Sequence, residues 1–295
     1  NHGDRPEFTT ANGQRCGPTR RHSTTLDTDM LYCAVSVAAG EWSTCVRRTT
    51  GAVRCWGVNT DGQLGDGTTD SSTAPVAVAG VTSAAALSVG RVHACVLLVD
   101  RTLRCWGFDD DGELGLGRTA QVPTPVAVSG LTGATRVDGG SSHTCALLGT
   151  GEVRCWGANE LGQLGDGSWT GSATPVTVST LTGVTAITVG GDHACALEAP
   201  TAAGGEVWCW GRGSSGELGD GGGQSSNVPV LVGGLTDAVS VAAGQAHTCA
   251  VRASGATVCW GDNGSGQLGD GTTTPSLVPV AVSGLTDATK VTTGD

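Results

Sequence analysis

The sequence predicts an all-β protein, a β-propeller of four-stranded blades, and three observations predict it. The tripeptide Cys-Trp-Gly recurs at Cys55, Cys105, Cys155, Cys209 and Cys259, in steps of 50, 50, 54 and 50 residues. Glycine supplies 49 of the 295 residues, which favours turns and opposes long helices. Between the glycines, apolar residues alternate at period two in short runs, the pattern of half-buried strands. A unit of this length carrying four strands cannot cover its own sheet faces and must stack on its neighbours, as propeller blades do. An open β-solenoid meets the same need and is the alternative.

Taken from where the pattern restarts, the units cover 34–83, 84–133, 134–183, 184–237 and 238–287, and 288–295 starts a sixth. In the third unit strands are predicted over 134–138, 144–148, 152–156 and 175–178, the last after a long loop. Residues 1–33 lack the two cysteine-bearing strands. Their run Asn12-Gly13-Gln14-Arg15-Cys16-Gly17 echoes the loop Gly-Gln-Leu-Gly-Asp-Gly and reads as the degenerate tail of the blade that 288–295 begins. Six blades are expected, or seven if the chain is truncated or completed by a partner.

The full frame is Gly-x-x-His-[Thr/Ala]-Cys-[Ala/Val], Val-x-Cys-Trp-Gly, Gly-Gln-Leu-Gly-Asp-Gly and Pro-Val-x-Val. It is carried, for example, by residues 190–196, 153–157, 162–167 and 175–178. Over residues 34–295 this frame resembles the repeat of the regulator of chromosome condensation family, in a cysteine-rich form that suits a secreted, bacterial-type variant. The resemblance implies a propeller, typically of seven blades, acting as a protein-binding platform. It does not fix a partner, because function lives in sites placed on a fold.

Cysteines come in pairs ten residues apart: Cys45 and Cys55, Cys95 and Cys105, Cys145 and Cys155, Cys249 and Cys259. Cys195 and Cys209 are fourteen apart, the extra residues falling at the hairpin tip in 199–205. An even insertion preserves side-chain parity, so each pair can face across its hairpin. The leftover Cys16 and Cys33 are expected to pair. Each bridge would stabilise by about 2.5 to 3 kcal/mol through the unfolded chain, which offsets the small apolar surface of a chain with eleven aromatic residues. Zinc is the competing reading, against which stands the absence of any Cys-x-x-Cys pair. Six disulfides place the protein outside the reducing cytosol: extracellular, periplasmic or on the cell surface. That argues against nucleotide exchange on a nuclear GTPase, the family's best-known role.

Net charge is −11, and Lys290 is the only lysine, so a phosphate-neutralising surface for nucleic acid is hard to assemble. No apolar run is long enough for a membrane helix. No nucleophile elbow, Walker loop or dinucleotide fingerprint occurs, and no cofactor is expected.

Residues recurring in every unit serve the blade. His93, His143, His193 and His247 share one position, with Ser43 there in the first unit, and read as buried imidazoles bonded to adjoining backbone. Trp56, Trp106, Trp156, Trp210 and Trp260 read as core, and Leu64, Leu114, Leu164, Leu218 and Leu268 as plugs under the loops. Asp66, Asp166, Asp220 and Asp270 suit tight turns, with calcium a weaker alternative. Asn263-Gly264-Ser265 fits a glycan acceptor pattern and equally an ordinary turn.

Function is sought where one blade departs from the others. In an up-and-down blade the first-to-second and third-to-fourth connections emerge on one face. That face would carry Trp42, Trp169 and the acidic run Phe108, Asp109, Asp110 and Asp111, the candidate partner-binding residues. The leading expectation is a non-enzymatic protein-binding or adhesion module. The alternatives are a structural subunit that self-associates through its incomplete blade or amino-terminal segment, and a hydrolase or lyase working in the channel.

Overall fold

A computed structural model of the chain describes residues 34–198 and 204–294. The first blade holds β1 (Ala34–Ala39), β2 (Ser43–Arg48), β3 (Val53–Gly57) and β4 (Ser72–Ala77), and the second β5 (Ala84–Val89), β6 (His93–Leu98), β7 (Leu103–Gly107) and β8 (Val122–Ala127). The third holds β9 (Ala134–Gly139), β10 (His143–Leu148), β11 (Val153–Gly157) and β12 (Ser172–Thr177). The fourth holds β13 (Val184–Val189), β14 (His193–Glu198), β15 (Val207–Gly211) and β16 (Ser226–Leu231). The fifth holds β17 (Ala238–Ala243), β18 (His247–Arg252), β19 (Thr257–Gly261) and β20 (Ser276–Ala281). Each sheet is antiparallel with its strands in chain order, and no helix occurs among the described residues. The fourth strand of the third unit starts earlier than expected, at Ser172, which pairs with Gly157. Its proline is tolerated because it is a sheet edge, where a missing N–H breaks no ladder.

The blade count departs from the expected six: the described residues form five blades. Residues 288–294 follow the path an inner strand would take, with Ala288 N bonded to Gly255 O as Ala84 N is to Gly51 O. They form no strand, because no described second strand stands beside them to take up their backbone groups. Residues 1–33, assigned to complete that blade, lie outside the described residues, as do Cys16, Cys33 and most of the 199–205 insertion.

All five described cysteine pairs are disulfides: Cys45–Cys55, Cys95–Cys105, Cys145–Cys155, Cys195–Cys209 and Cys249–Cys259. Each joins residues directly opposite in the hairpin register, with Cα atoms 4.0–4.1 Å apart. The bridge covers one face of its blade and the tryptophan the other. Cys45, Cys55, Val53, Leu64 and Val78 of the first blade thus meet Ala94, Val96, Leu98 and Trp106 of the second. The same junction recurs between each successive pair of blades. Trp106, Trp156, Trp210 and Trp260 are fully buried, and their indole N–H groups donate to the carbonyls of Gln63, Glu113, Gln163 and Glu217 one blade earlier, at 2.8–2.9 Å. The loop glycines let the rings lie flat: a Cβ on Gly65 would come within 2.6 Å of Trp106, and its φ of +67° is itself disfavoured for other residues. Trp56 departs from the core assignment. It is only partly buried, because no described blade stacks against the first.

Candidate functional site

In four of the five blades the β3–β4 connection or its counterpart is held by one buried side chain, and the fourth has Gly213 at that position. Asn159, fully buried, donates from Nδ2 to Ser168 O and Thr170 O, each at 3.1 Å, and accepts from Leu164 N at 2.9 Å. Asn59 and Asn263 do the same in their loops. Asn263 is thereby excluded as a glycan acceptor, since its amide is inside. The leucine plugs beneath are fully buried, and the turn aspartates accept backbone N–H bonds, as Asp166 does from Ser168 at 2.9 Å.

These anchors decide where the candidate residues point. Trp169 lies between Ser168 and Thr170, whose carbonyls are both pinned inward, so its indole is turned out and 51% exposed. The equivalent positions carry Thr69, Thr119, Gly223 and Thr273. Trp42 sits in the β1–β2 turn, its carbonyl accepting from Val58 N at 2.9 Å and its side chain 52% exposed. Both indoles are on the loop face of the disc.

The acidic run divides. Asp110 and Asp111 are exposed, and Phe108 is partly buried. Asp109 is fully buried and takes the asparagine's place, accepting from Leu114 N at 2.9 Å and Ala120 N at 3.3 Å. Its expected contact role is therefore corrected to that of a loop anchor, with burial raising its carboxyl above the usual range. Next to it, Glu113 replaces the glutamine found at 63, 163 and 267. It is fully buried, with Oε2 accepting from Asp111 N at 3.0 Å and Oε1 without a hydrogen-bond partner among the described residues. Burial, reinforced by the charges of Asp111 and Asp109, pushes its carboxyl up to about 8. The signal was in the repeat, as a glutamate in a glutamine column.

His93, His143 and His193 are buried as expected while His247 is only partly buried, and for His93 and His193 the partner is a side chain of the next blade. His93 Nε2 lies 2.8 Å from Thr144 Oγ1, which itself donates to Glu113 O, and His193 Nε2 lies 2.8 Å from Thr248 Oγ1. His143 meets Ala194 in place of threonine, and neither of its ring nitrogens has a partner among the described residues. Burial lowers His93 to about 4 and His143 and His193 to about 3, so all three stay neutral at physiological pH.

The family model for the RCC1-like domain matches residues 4–295. Comparison with curated proteins gave no match. Among solved structures, human WBSCR16 aligns with a TM-score of 0.78 at 23% identity, over 88% of this chain and 70% of its own. Yeast RCC1 (Prp20), solved bound to Kap60, aligns with a TM-score of 0.75 at 21% identity, over 84% of this chain and 61% of its own. Prp20p of Saccharomyces cerevisiae, solved together with a study of its binding to Gsp1p and histones, gives 0.75 at 22%, over 84% and 63%. The chain spans less than two thirds of those yeast chains, and at these identities the likeness is one of fold.

Proposed function

The chain belongs to the family of RCC1-like domains, and we propose that it works outside the reducing cytoplasm as a rigid, non-enzymatic platform that binds another protein on its loop face. One observation carries the reading: Trp42 and Trp169 are half exposed on loops whose backbones are fixed by buried anchors. An indole held out of the core by a rigid loop presents a large apolar contact with little ordering cost, which is how interface anchors act. Asp110 and Asp111 lie exposed on the same face, so the partner should be cationic where it meets them. Yeast RCC1 takes Kap60 as a protein partner, which makes protein recognition a use this fold supports. The five disulfides support an extracellular, periplasmic or surface location. The buried, neutral histidines favour binding over acid–base chemistry.

The test compares proteins captured from extracellular medium by the native chain and by a Trp42→Ala, Trp169→Ala double variant of equal melting temperature. Captured species should be lost with the indoles and weakened by salt. Identical capture by both would remove this face from consideration.

Self-association is the second reading, favoured by two blade faces, on the first and the fifth, that have no described blade against them. Trp56 makes no indole hydrogen bond among the described residues, and Gln267 O, the equivalent of Gln63 O, receives none. A second copy's first blade stacked on the fifth would join the two, with β1 and residues 288–294 competing for the inner position. Sedimentation over a wide concentration range separates the readings, since a platform stays monomeric.

A further inference from the structure

Beyond the loop face, the inner strands border an open cavity of about 920 Å³ at the other end of the channel. Its wall includes Leu147, Leu148, Gly149 and Gly151, at the β10–β11 hairpin, so its mouth opens opposite Trp42 and Trp169. Residues from the second, third and fourth blades line it, and Lys290 and Thr292 complete the wall.

The inner-strand position that carries Ser36, Ala86, Ala186 and Ser240 in four units carries Arg136 in the third and Lys290 after the fifth. The blade itself asks only for a small residue there, so these two cations are departures the fold does not require. Neither forms an ion pair or a side-chain hydrogen bond with a described residue, and both are exposed to the same cavity. In a chain of net charge −11, two cations lining one mouth without a described partner are a local reversal of sign. The carboxylate in the same wall, Asp138, is turned into the structure: Oδ1 bonds Ser88 Oγ at 3.0 Å and Oδ2 accepts from Val189 N at 2.9 Å. Thr135, Thr185 and Thr292 add hydroxyls, while Leu87, Val137 and Ile187 supply apolar wall. The wall is thus polar and apolar in similar measure, which suits a ligand with both characters, and the volume lies within the range of small-molecule sites.

We propose that this channel mouth binds a small amphipathic carboxylate, its head held between Arg136 and Lys290 and its hydrocarbon body against Leu87, Val137 and Ile187. Arginine and lysine differ in reach, and the pair suits one carboxylate approached from two sides of the channel. The site is independent of the loop-face reading, and either can fail alone.

Calorimetric titration of the native full chain with octanoate, 1-octanol and inorganic phosphate tests it. Octanoate should bind with one-to-one stoichiometry, at least tenfold more tightly than either 1-octanol or phosphate. An Arg136→Gln, Lys290→Gln variant with unchanged melting temperature should lose at least tenfold in octanoate affinity. Absent octanoate binding, an equal response to the alcohol, equal binding of phosphate, or unchanged affinity in the variant would each overturn the proposal. Trp42→Ala, Trp169→Ala should leave octanoate binding untouched, and a parallel loss there would also count against the assignment.

Discussion

The loops of the second and fourth blades bury a carboxylate at the same place and solve the problem differently. Glu217 has Arg212 beside it, Nε to Oε1 at 3.2 Å, with the carboxylate fully buried and the guanidinium 40% exposed. At the corresponding place before Glu113 stands Phe108, and the charged groups that act on it are the carboxylates of Asp111 and Asp109. One loop neutralises the buried charge with a cation, while the other does so with a proton. The glutamine loops need neither: Gln63 Nε2 donates to Asp61 and Gln267 Nε2 to Asp262, each at 3.0 Å. The repeat thus tolerates a charge at this site only when something local cancels it.

Glu113→Gln should have the largest effect, and it depends on pH. The folded carboxyl binds its proton up to about 8, against an ordinary value of 4.5. Its contribution is full below 4.5 and is lost as pH rises from there to 8, because the folded state then holds a proton the unfolded chain has released. Urea unfolding should find the variant no more stable than the parent at pH 4 and more stable at pH 9, by several kcal/mol on the order implied by the shift. Equal stabilities at pH 9 would mean that the buried charge is met by some other group.

Arg212→Phe turns the fourth loop into a copy of the second. Removing the cation should cost about 3 kcal/mol at neutral pH, toward the low end for a broken buried pair because the guanidinium is partly solvated. In a Glu217→Gln background the same replacement should cost much less, because the buried charge that needs the cation is gone. An equal cost in both backgrounds would instead assign Arg212 a packing role.

Ala194→Thr gives the smallest effect and examines the junction between the third and fourth blades. The new hydroxyl should bond His143 Nε2 as Thr144 bonds His93, adding about 1 kcal/mol in urea unfolding. A destabilised variant would mean that the methyl-sized site has no room for the hydroxyl.

How far the sequence could be read differs between these same elements. The five hairpin disulfides, the strand alternation, the leucine plugs and the turn aspartates were legible because each depends on residues within one unit, whose backbone periodicity fixes which side chains face each other. The histidine partner was not, since Thr144 lies 51 residues from His93 and meets it only when blades stack. Nor could the acidic run be resolved from its residue types. Asp109 and Asp110 are neighbours with opposite orientations, one anchoring the loop and the other in solvent. The shared site of Arg136 and Lys290 could not be read for a related reason. They occupy equivalent columns 154 residues apart, and only the closing of the inner strands around the channel brings them to one cavity.

By itself, then, the sequence determined the blade, from its strand periodicity to its sulfur staple, through interactions local to fifty-odd residues. Tertiary structure decided the direction of each departure from the repeat, toward core, channel or solvent, because burial and partner choice arise between blades, where the next unit supplies the packing surface and the hydrogen-bonding groups.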